Sequence, residues 1–390
     1  MKIVVVASLA YSLVNFRGRL LTDMVANGHE VLACAPEEDA EIAARLAAIG
    51  VAYRMMPMAR TGLDPFEDLK TVRWLRRCFV EERPDLVLAY TQKPIIYAGL
   101  ACRLAKGPLF YAMVSGLGHA FGEEARPWLR RLVAALYRPA LARASAVFVF
   151  NADDRGEMLK HRMIRPEARV VQVPGTGVDL SHYAAAPVPA DGPRFLMIAR
   201  LLKSKGLFDY VEAARRIRRD RPDVRFALLG PLDPNPAGID AAQVAAWQAE
   251  GVIDYLGETR DVRPHLAAAS VFVLPSWYRE GLPRTILEAM ATGRAVITTD
   301  MPGCREPIDT GVNGFLVEPR DVDGLTAALW RFVDDPGLAV AMGARALETA
   351  RTRFSVERVN GILLSTMALG TPQAPAEPRR QDVPIAEAVQ

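Results

Sequence analysis

Short apolar runs alternate with longer stretches of helical period along most of the chain. In the first half the runs are "IVVVAS" (3–8), "EVLACAP" (30–36), "DLVLAY" (85–90), "LFYAMV" (109–114), "AVFVF" (146–150) and "VVQVP" (170–174). Helical patterns lie between them, such as 18–27, closed by Gly28, and 38–49, closed by Gly50. The runs are apolar at consecutive positions, so both faces of each strand are expected to be buried. That predicts parallel strands with helices on either side. The rhythm restarts with "RFLMIAR" (194–200), a helix near 206–219, then "RFALLG" (225–230), "VIDYLG" (252–257), "VFVLP" (271–275), "AVITT" (295–299) and "GFLVEP" (314–319). The pattern predicts an α/β protein of two doubly wound, Rossmann-like domains. We place the first at 1–185 and the second at 186–351, joined around the Gly-, Pro- and Ala-rich stretch 173–193. A C-terminal helix at 352–369 is expected to pack back toward the first domain, and 370–390 reads as a disordered tail.

Length and composition agree with this picture. The chain has 390 residues and is 51% hydrophobic, enough for two cores. A formal charge of +3 gives no nucleic-acid footprint, and no nucleic-acid partner is expected. Cys34, Cys78, Cys102 and Cys304 form no CxxC pair, so no zinc site is expected and a reducing cytosol fits. The opening run "MKIVVVASLA" reads as a first strand rather than a signal peptide, and no apolar stretch reaches the roughly 20 residues of a membrane span.

In open parallel sheets, ligands bind beyond the carboxyl ends of the strands, so motifs just after strands carry the information. "IARLLKSKG" (198–206) places Arg200, Lys203 and Lys205 before Gly206 and a helix start. Cations beside helix N-terminal amides make a diphosphate site; an ordinary basic loop is the plain alternative. "EGLPRTILEAMATG" (280–293) follows another strand. Pro283 suits a first helical turn, and the amides near Gly281, Leu282 and Thr285 are then open to an anion. Glu288 falls one turn into that helix, where a carboxylate can accept from the two hydroxyls of a ribose. Glu280 precedes the helix and can reach a sugar hydroxyl. The plain alternative is two solvated acids flanking a helix.

In the first domain, "YAMVSGLGHAFGEE" (111–124) follows a strand. Gly116 and Gly118 permit close backbone approach, and neutral His119 is a candidate base for an acceptor hydroxyl. "SLAYSLVNFRGRL" (8–20) links the first strand to the first helix, and Asn15, Phe16, Arg17 and Gly18 are candidates to face an acceptor. The nearest thing to a DxD metal motif, "ADD" (152–154), reads as a helix cap.

Glu280 with Glu288 forms E-x7-E, and Arg200 with Lys205 forms R-x4-K. In this order they resemble the C-terminal half of the family 4 retaining glycosyltransferases, which have the GT-B fold. "VVQVPGTGVD" (170–179) is similar to that family's hinge, and "GCREPIDTGVNGFLVEP" (303–319) to its late second-domain segment. The resemblance implies a nucleotide-sugar donor, a UDP-sugar above all, held mainly by the second domain, and an acceptor held mainly by the first. It implies Arg200 and Lys205 on the diphosphate, Glu288 on the ribose, Glu280 on the transferred sugar, and no metal or other cofactor. Together with "NFRGRL" and "TQKPIIYAGLACRLA" (91–105) it extends to bacterial transferases acting on polyprenyl-diphosphate-linked sugars in the assembly of surface polysaccharides or glycans. The implied place is the cytoplasmic face of the bacterial inner membrane, as a peripheral protein.

Two basic amphipathic segments, 70–84 with Arg73, Trp74, Arg76 and Arg77, and 126–144 with Arg126, Trp128, Arg130, Arg131, Arg138 and Arg143, suit an anionic bilayer. Helices packed on the sheet with their arginines in water are the plain alternative. A soluble acceptor is a second possibility. A non-hydrolysing UDP-N-acetylglucosamine 2-epimerase shares the two-domain architecture and is the rival enzyme.

Overall fold

A computed structural model describes residues 1–372 except 60, 61, 63, 123, 124 and 236. Most of the tail, 373–390, therefore lies outside the described residues. Two parallel sheets form, as the unbroken apolar runs predict. The first holds β1 (Lys2–Val6), β2 (Glu30–Ala35), β3 (Val51–Met55), β4 (Leu86–Tyr90), β5 (Leu109–Val114), β6 (Ala144–Val149) and β7 (Val170–Gln172), in the order β3-β2-β1-β4-β5-β6-β7. The second holds β8 (Arg194–Ile198), β9 (Arg225–Leu229), β10 (Asp254–Tyr255), β11 (Val271–Leu274), β12 (Ala295–Thr299) and β13 (Gly314–Val317), ordered β10-β9-β8-β11-β12-β13. In each sheet the order reverses once, between β1 and β4 and between β8 and β11. A crevice opens beyond the strand ends at such a reversal.

The sequence pattern missed β3, which follows Gly50. Only its first residue is buried and the rest are half-buried or exposed, as on an edge, so no apolar run marks it. It also missed a short helix, Ala10–Asn15, inside the stretch read as a loop. No side chain caps that helix, so it carried no start signal. Asn15 therefore ends a helix and Gly18 begins the next, Gly18–Ala26.

The halves are tied at the hinge and at the C-terminus. Ala186 donates its N–H to Thr292 O at 3.1 Å, and the buried Arg294 guanidinium donates to the carbonyls of Ala186 and Pro187 at 2.7 and 2.9 Å. The chain is thus fastened to the second domain from residue 186 onward. The Val356–Met367 helix returns to the first domain, where Asn360 Nδ2 donates to buried Asp23 Oδ2 at 2.7 Å. Its start pairs with the hinge, Val356 N–H to Val178 O at 3.0 Å.

Candidate active site in the cleft between the domains

A cavity of about 510 Å³ lies where the two reversals face each other. Its walls come from the strand ends on both sides: Ser8 after β1, Thr91 after β4, Ser115 after β5, Arg200 after β8, and 280–285 after β11. Thr91 is the unusual backbone, with φ 70 and ψ 159, a region that β-branched residues avoid. Its hydroxyl donates to Ser8 Oγ at 2.9 Å, which joins the ends of β1 and β4 across the reversal. Strain of this kind collects at ligand sites.

The second domain supplies charge. Lys203–Lys205 forms one 3-10 turn after β8, closed by Gly206 in the left-handed region at φ 77. A Cβ there would fall 2.0 Å from Pro275 O, so glycine is what lets this turn lie against the end of β11. The approach brings Lys205 Nζ onto Glu280 Oε1 in a short ion pair, and both side chains are 14% exposed. Ser276 Oγ donates to the same carboxylate at 3.1 Å. Lys205 also lies 5.6 Å from the Tyr278 ring. Arg200 is 64% exposed and held by Asp233 at 2.9 Å. Gly281, Leu282, Pro283 and Thr285 line the cavity at the start of the Arg284–Ala291 helix. Pro283 is its N-cap, one residue earlier than the expected first turn, and no side chain caps the helix. Its positive end thus meets the cavity uncovered by a capping group.

Glu288 is buried and opens on a neighbouring cavity of about 440 Å³. Arg284 Nε donates to it at 3.3 Å, while the same guanidinium reaches Thr176 Oγ1 of the hinge at 3.1 Å and lies 4.7 Å from the Phe16 ring. Asn15, Phe16 and Gly18 line this cavity with Thr285 and Glu288. These three residues, expected to face the acceptor, share this cavity with the carboxylate assigned to the ribose. Arg17 faces the central cavity but is 3% exposed. Its Nη2 sits 2.6 Å from Met113 Sδ and its guanidinium 5.1 Å from the Tyr90 ring, so burial pulls it down to about 10.

A third cavity, about 720 Å³, opens on the far side of Glu280. Trp277, Tyr278, Arg279, Lys203 and Arg320 line it, together with Arg200 and Lys205. Burial, with Glu280 nearby, pushes the Tyr278 hydroxyl up to about 12.

The first domain supplies close backbone and neutral groups. Gly116 has φ 103, and a Cβ there would stand 2.9 Å from Gly281 N; a Cβ on Gly281 would stand 2.2 Å from Ser115 O. Both glycines are needed for the domains to touch. Gly118, at φ 69, sits beside the Tyr278 hydroxyl. His119 begins a 3-10 turn, His119–Phe121; its side chain lies outside what the structure describes.

Several contributors were not singled out from sequence. Asn151 caps the Ala152–Lys160 helix, accepting from Asp154 N at 2.7 Å, and its Nδ2 donates to Gly281 O at 3.1 Å across the cleft. The cap is therefore Asn151, with Asp153 and Asp154 in the first turn rather than a capping "ADD". Asp154 is buried within 3.8 Å of Arg279 Nη2 of the second domain, and desolvation lifts its carboxyl to about 6. An Asn after an apolar run is a visible cap signal, but its reach across the cleft is not. Among the described residues, no group of three or more His, Cys, Asp or Glu gathers as metal ligands do.

The geometry can be set beside known proteins. Residues 15–176 match the family described as a glycosyl transferase 4-like domain, and residues 192–335 match glycosyl transferases group 1. The two matches lie in that order, one on each sheet. The chain is a glycosyltransferase, with a 4-like first domain and a group 1 second domain. Over 354 residues this glycosyltransferase is 25% identical to the N,N'-diacetylbacillosaminyl-diphospho-undecaprenol alpha-1,3-N-acetylgalactosaminyltransferase of Campylobacter jejuni, covering 87% of this chain and 91% of that one. It is 26% identical over 298 residues to an Escherichia coli UDP-Gal:alpha-D-GlcNAc-diphosphoundecaprenol alpha-1,3-galactosyltransferase, covering 73% and 76%. HepE of Anabaena, solved in complex with UDP, superposes with a TM-score of 0.75 at 20% identity over 94% of this glycosyltransferase and 100% of HepE. Sucrose-phosphate synthase of Thermosynechococcus elongatus superposes at 0.76 with 19% identity, covering 94% and 98%. These superpositions establish the GT-B fold.

Proposed function

We propose that this glycosyltransferase moves a sugar from a nucleotide-sugar, a UDP-sugar above all, to a sugar linked to a polyprenyl diphosphate. The transfer retains configuration, needs no metal, and serves the assembly of a bacterial surface polysaccharide or glycan. One observation carries the reading: the Lys205–Glu280 pair stands at an uncapped helix N-terminus, inside the cavity made by both sheet reversals. The named activities of the Campylobacter jejuni and Escherichia coli relatives support the acceptor, and the UDP complex of HepE supports the nucleotide.

The three cavities give the donor a direction. Glu288 and the 440 Å³ cavity take the nucleoside. The diphosphate lies at residues 281–285, with Lys205 and Arg200, and the sugar reaches Glu280. Transfer breaks the bond between the anomeric carbon and the diphosphate oxygen, and the electron pair leaves with the diphosphate. Lys205, Arg200 and the helix amides oppose the charge that builds there, as preorganised groups in a half-buried site. The acceptor oxygen attacks on the face the leaving group departs from, and its proton passes to the departing oxygen. Because the protein's own cations hold the diphosphate, turnover should survive chelator.

We place the enzyme at the cytoplasmic face of the inner membrane as a peripheral protein. No helix among the described residues is long and apolar enough to cross a bilayer. The Pro65–Glu82 helix exposes Phe66, Leu69, Arg73, Arg76 and Arg77, and the Pro127–Leu141 helix exposes Trp128, Arg131 and Leu132. Both pack one flank into the same core. Exposed aromatic and aliphatic groups among arginines suit an anionic surface. Not every arginine serves it: Arg130 donates to Gly122 O at 3.0 Å and Arg138 to Arg162 O at 3.0 Å.

The test is nucleotide release from a panel of UDP- and GDP-sugars, with and without a polyprenyl-diphosphate-sugar extract. Release that requires one donor and the extract is expected. Release with a water-soluble acceptor alone would move the acceptor out of the membrane. Isomerisation of a free nucleotide-sugar would make the enzyme an epimerase.

A further inference from the structure

The 720 Å³ cavity is larger than the transferred sugar needs, and its walls are cationic on the side away from the donor. Lys203 precedes Lys205 in the same turn and is exposed; its backbone N–H donates to Ala237 O at 3.1 Å, and its ammonium meets no carboxylate among the described residues. Arg279 is mostly covered. Its Nε and Nη2 are buried with no hydrogen-bond partner, and its nearest carboxylate oxygen, on Asp154, is 3.8 Å from Nη2. A guanidinium held that way has donor capacity that the protein's own hydrogen bonds leave unused. Arg320 completes the rim, its guanidinium 4.2 Å from the Trp277 ring. Trp277 and Tyr278 make a flat wall between this rim and Glu280.

The donor accounts for one diphosphate, at the 284–291 helix, and Lys205 with Glu280 stands between that place and this cavity. A second cationic pocket across the reacting centre calls for a second anion. The first domain reaches this cavity through Gly122, whose carbonyl is held by Arg130 of the helix that exposes Trp128 and Leu132. An acceptor seated here would place its sugar against Trp277 and Tyr278, near Glu280, and its lipid along that apolar helix.

We infer that Lys203, Arg279 and Arg320 bind the diphosphate of the lipid-linked acceptor, in a site separate from the donor diphosphate. The inference rests on the proposed acceptor class and places the acceptor's anion on the second domain. It also divides the cations of this domain into two sets, Lys205 for the leaving group and Lys203 for the acceptor.

The experiment is calorimetry on the full-length protein saturated with UDP, titrated with farnesyl diphosphate and separately with inorganic pyrophosphate. One equivalent of farnesyl diphosphate should bind in the presence of UDP, at least as tightly as pyrophosphate. Lys203→Glu, and separately Arg279→Gln, should weaken it by tenfold or more and leave the UDP Kd within twofold. Lys203 is exposed, so its variant tests the site even if Arg279→Gln fails to fold. Displacement of farnesyl diphosphate by UDP, or equal binding by the Lys203 variant, would overturn the second site. Pyrophosphate binding with farnesyl diphosphate excluded would overturn the lipid assignment. Failure of the wild-type protein to bind UDP would instead sink the UDP-donor reading.

Discussion

The two walls of the cleft are built from different materials. The second domain brings charged side chains that are already paired: Lys205 with Glu280, Arg284 with Glu288, Arg200 with Asp233. The first domain brings glycine backbone at 116, hydroxyls at Ser8, Thr91 and Ser115, and one buried arginine, Arg17. Paired charges can sit half-buried without a ligand because each satisfies the other. A ligand then exchanges partners rather than desolvating a bare ion. In the proposed reading the second domain is a standing anion site, and the first is the shape set against it.

Removing the charge should cost the most. Lys205→Ala removes the cation from the leaving diphosphate and strands Glu280 in its place, so transfer should fall by about 2–4 kcal/mol in barrier. Steady-state kinetics with donor and lipid acceptor would check it; near-normal kcat/KM would take Lys205 out of the site.

Shape comes next. Gly281→Ala would drive a methyl to within 2.2 Å of Ser115 O, which holds the domains apart without touching a charge. Misplacement by roughly 1 Å can cost about 10²-fold. Transfer should fall by about that much while UDP still binds the second domain. Loss of UDP binding instead would mean that the first wall also carries the donor.

The seam between the walls carries a third prediction, on stability. Burial lifts the Asp154 carboxyl to about 6 in the folded protein from its ordinary 3.8, because it disfavours the charge more than Arg279 favours it. The unfolded chain therefore loses this proton first as pH rises. The folded state loses stability between about pH 4 and pH 6, and the deficit levels off above that. At roughly 1.4 kcal/mol per unit, the ionised group costs on the order of 2–3 kcal/mol. Asp154→Asn should thus raise the Tm at pH 7.5 and not at pH 4. Equal shifts at both pH values would show that its charge is not what matters.

This contrast also decides what the sequence could reveal. The second wall was legible because its groups lie in two short stretches, 198–206 and 280–288, each after an apolar strand. The resemblance gave them roles, and the structure brings Arg200, Lys205 and Glu280 to one cavity. The first wall was not legible in the same way. Ser8, Thr91, Ser115 and Asn151 are far apart in the chain, and only the strand order β3-β2-β1-β4-β5-β6-β7 brings them together. Hydroxyls after strands are too common to single out. The 15–18 corner was singled out, but not the six-residue helix before it, which has no side-chain cap to announce it. Strand positions came through well wherever both faces are buried, and failed at β3, an edge strand buried only at its first residue.

The smallest effect bears on Glu288, the one donor-side carboxylate outside the central cavity. Among the described residues its ion-pair partner is Arg284, at 3.3 Å, and that arginine is also held by Thr176 and stacked near Phe16. Glu288→Gln keeps the shape and an acceptor oxygen but removes the charge. If Glu288 holds a ribose, a charge-assisted pair of hydrogen bonds becomes a neutral one, worth about tenfold, or about 1.4 kcal/mol, in donor Kd. If Glu288 only anchors Arg284, donor affinity should hold while Tm falls and the hinge contact at Thr176 loosens. Calorimetric titration of UDP against uridine-free pyrophosphate separates the two. A ribose role weakens UDP and spares pyrophosphate, whereas an anchoring role treats both alike. The first outcome would give the nucleoside to the cavity that both walls share, where Asn15 and Gly18 meet Glu288, and would make the first domain a donor-binding surface as well as a lid.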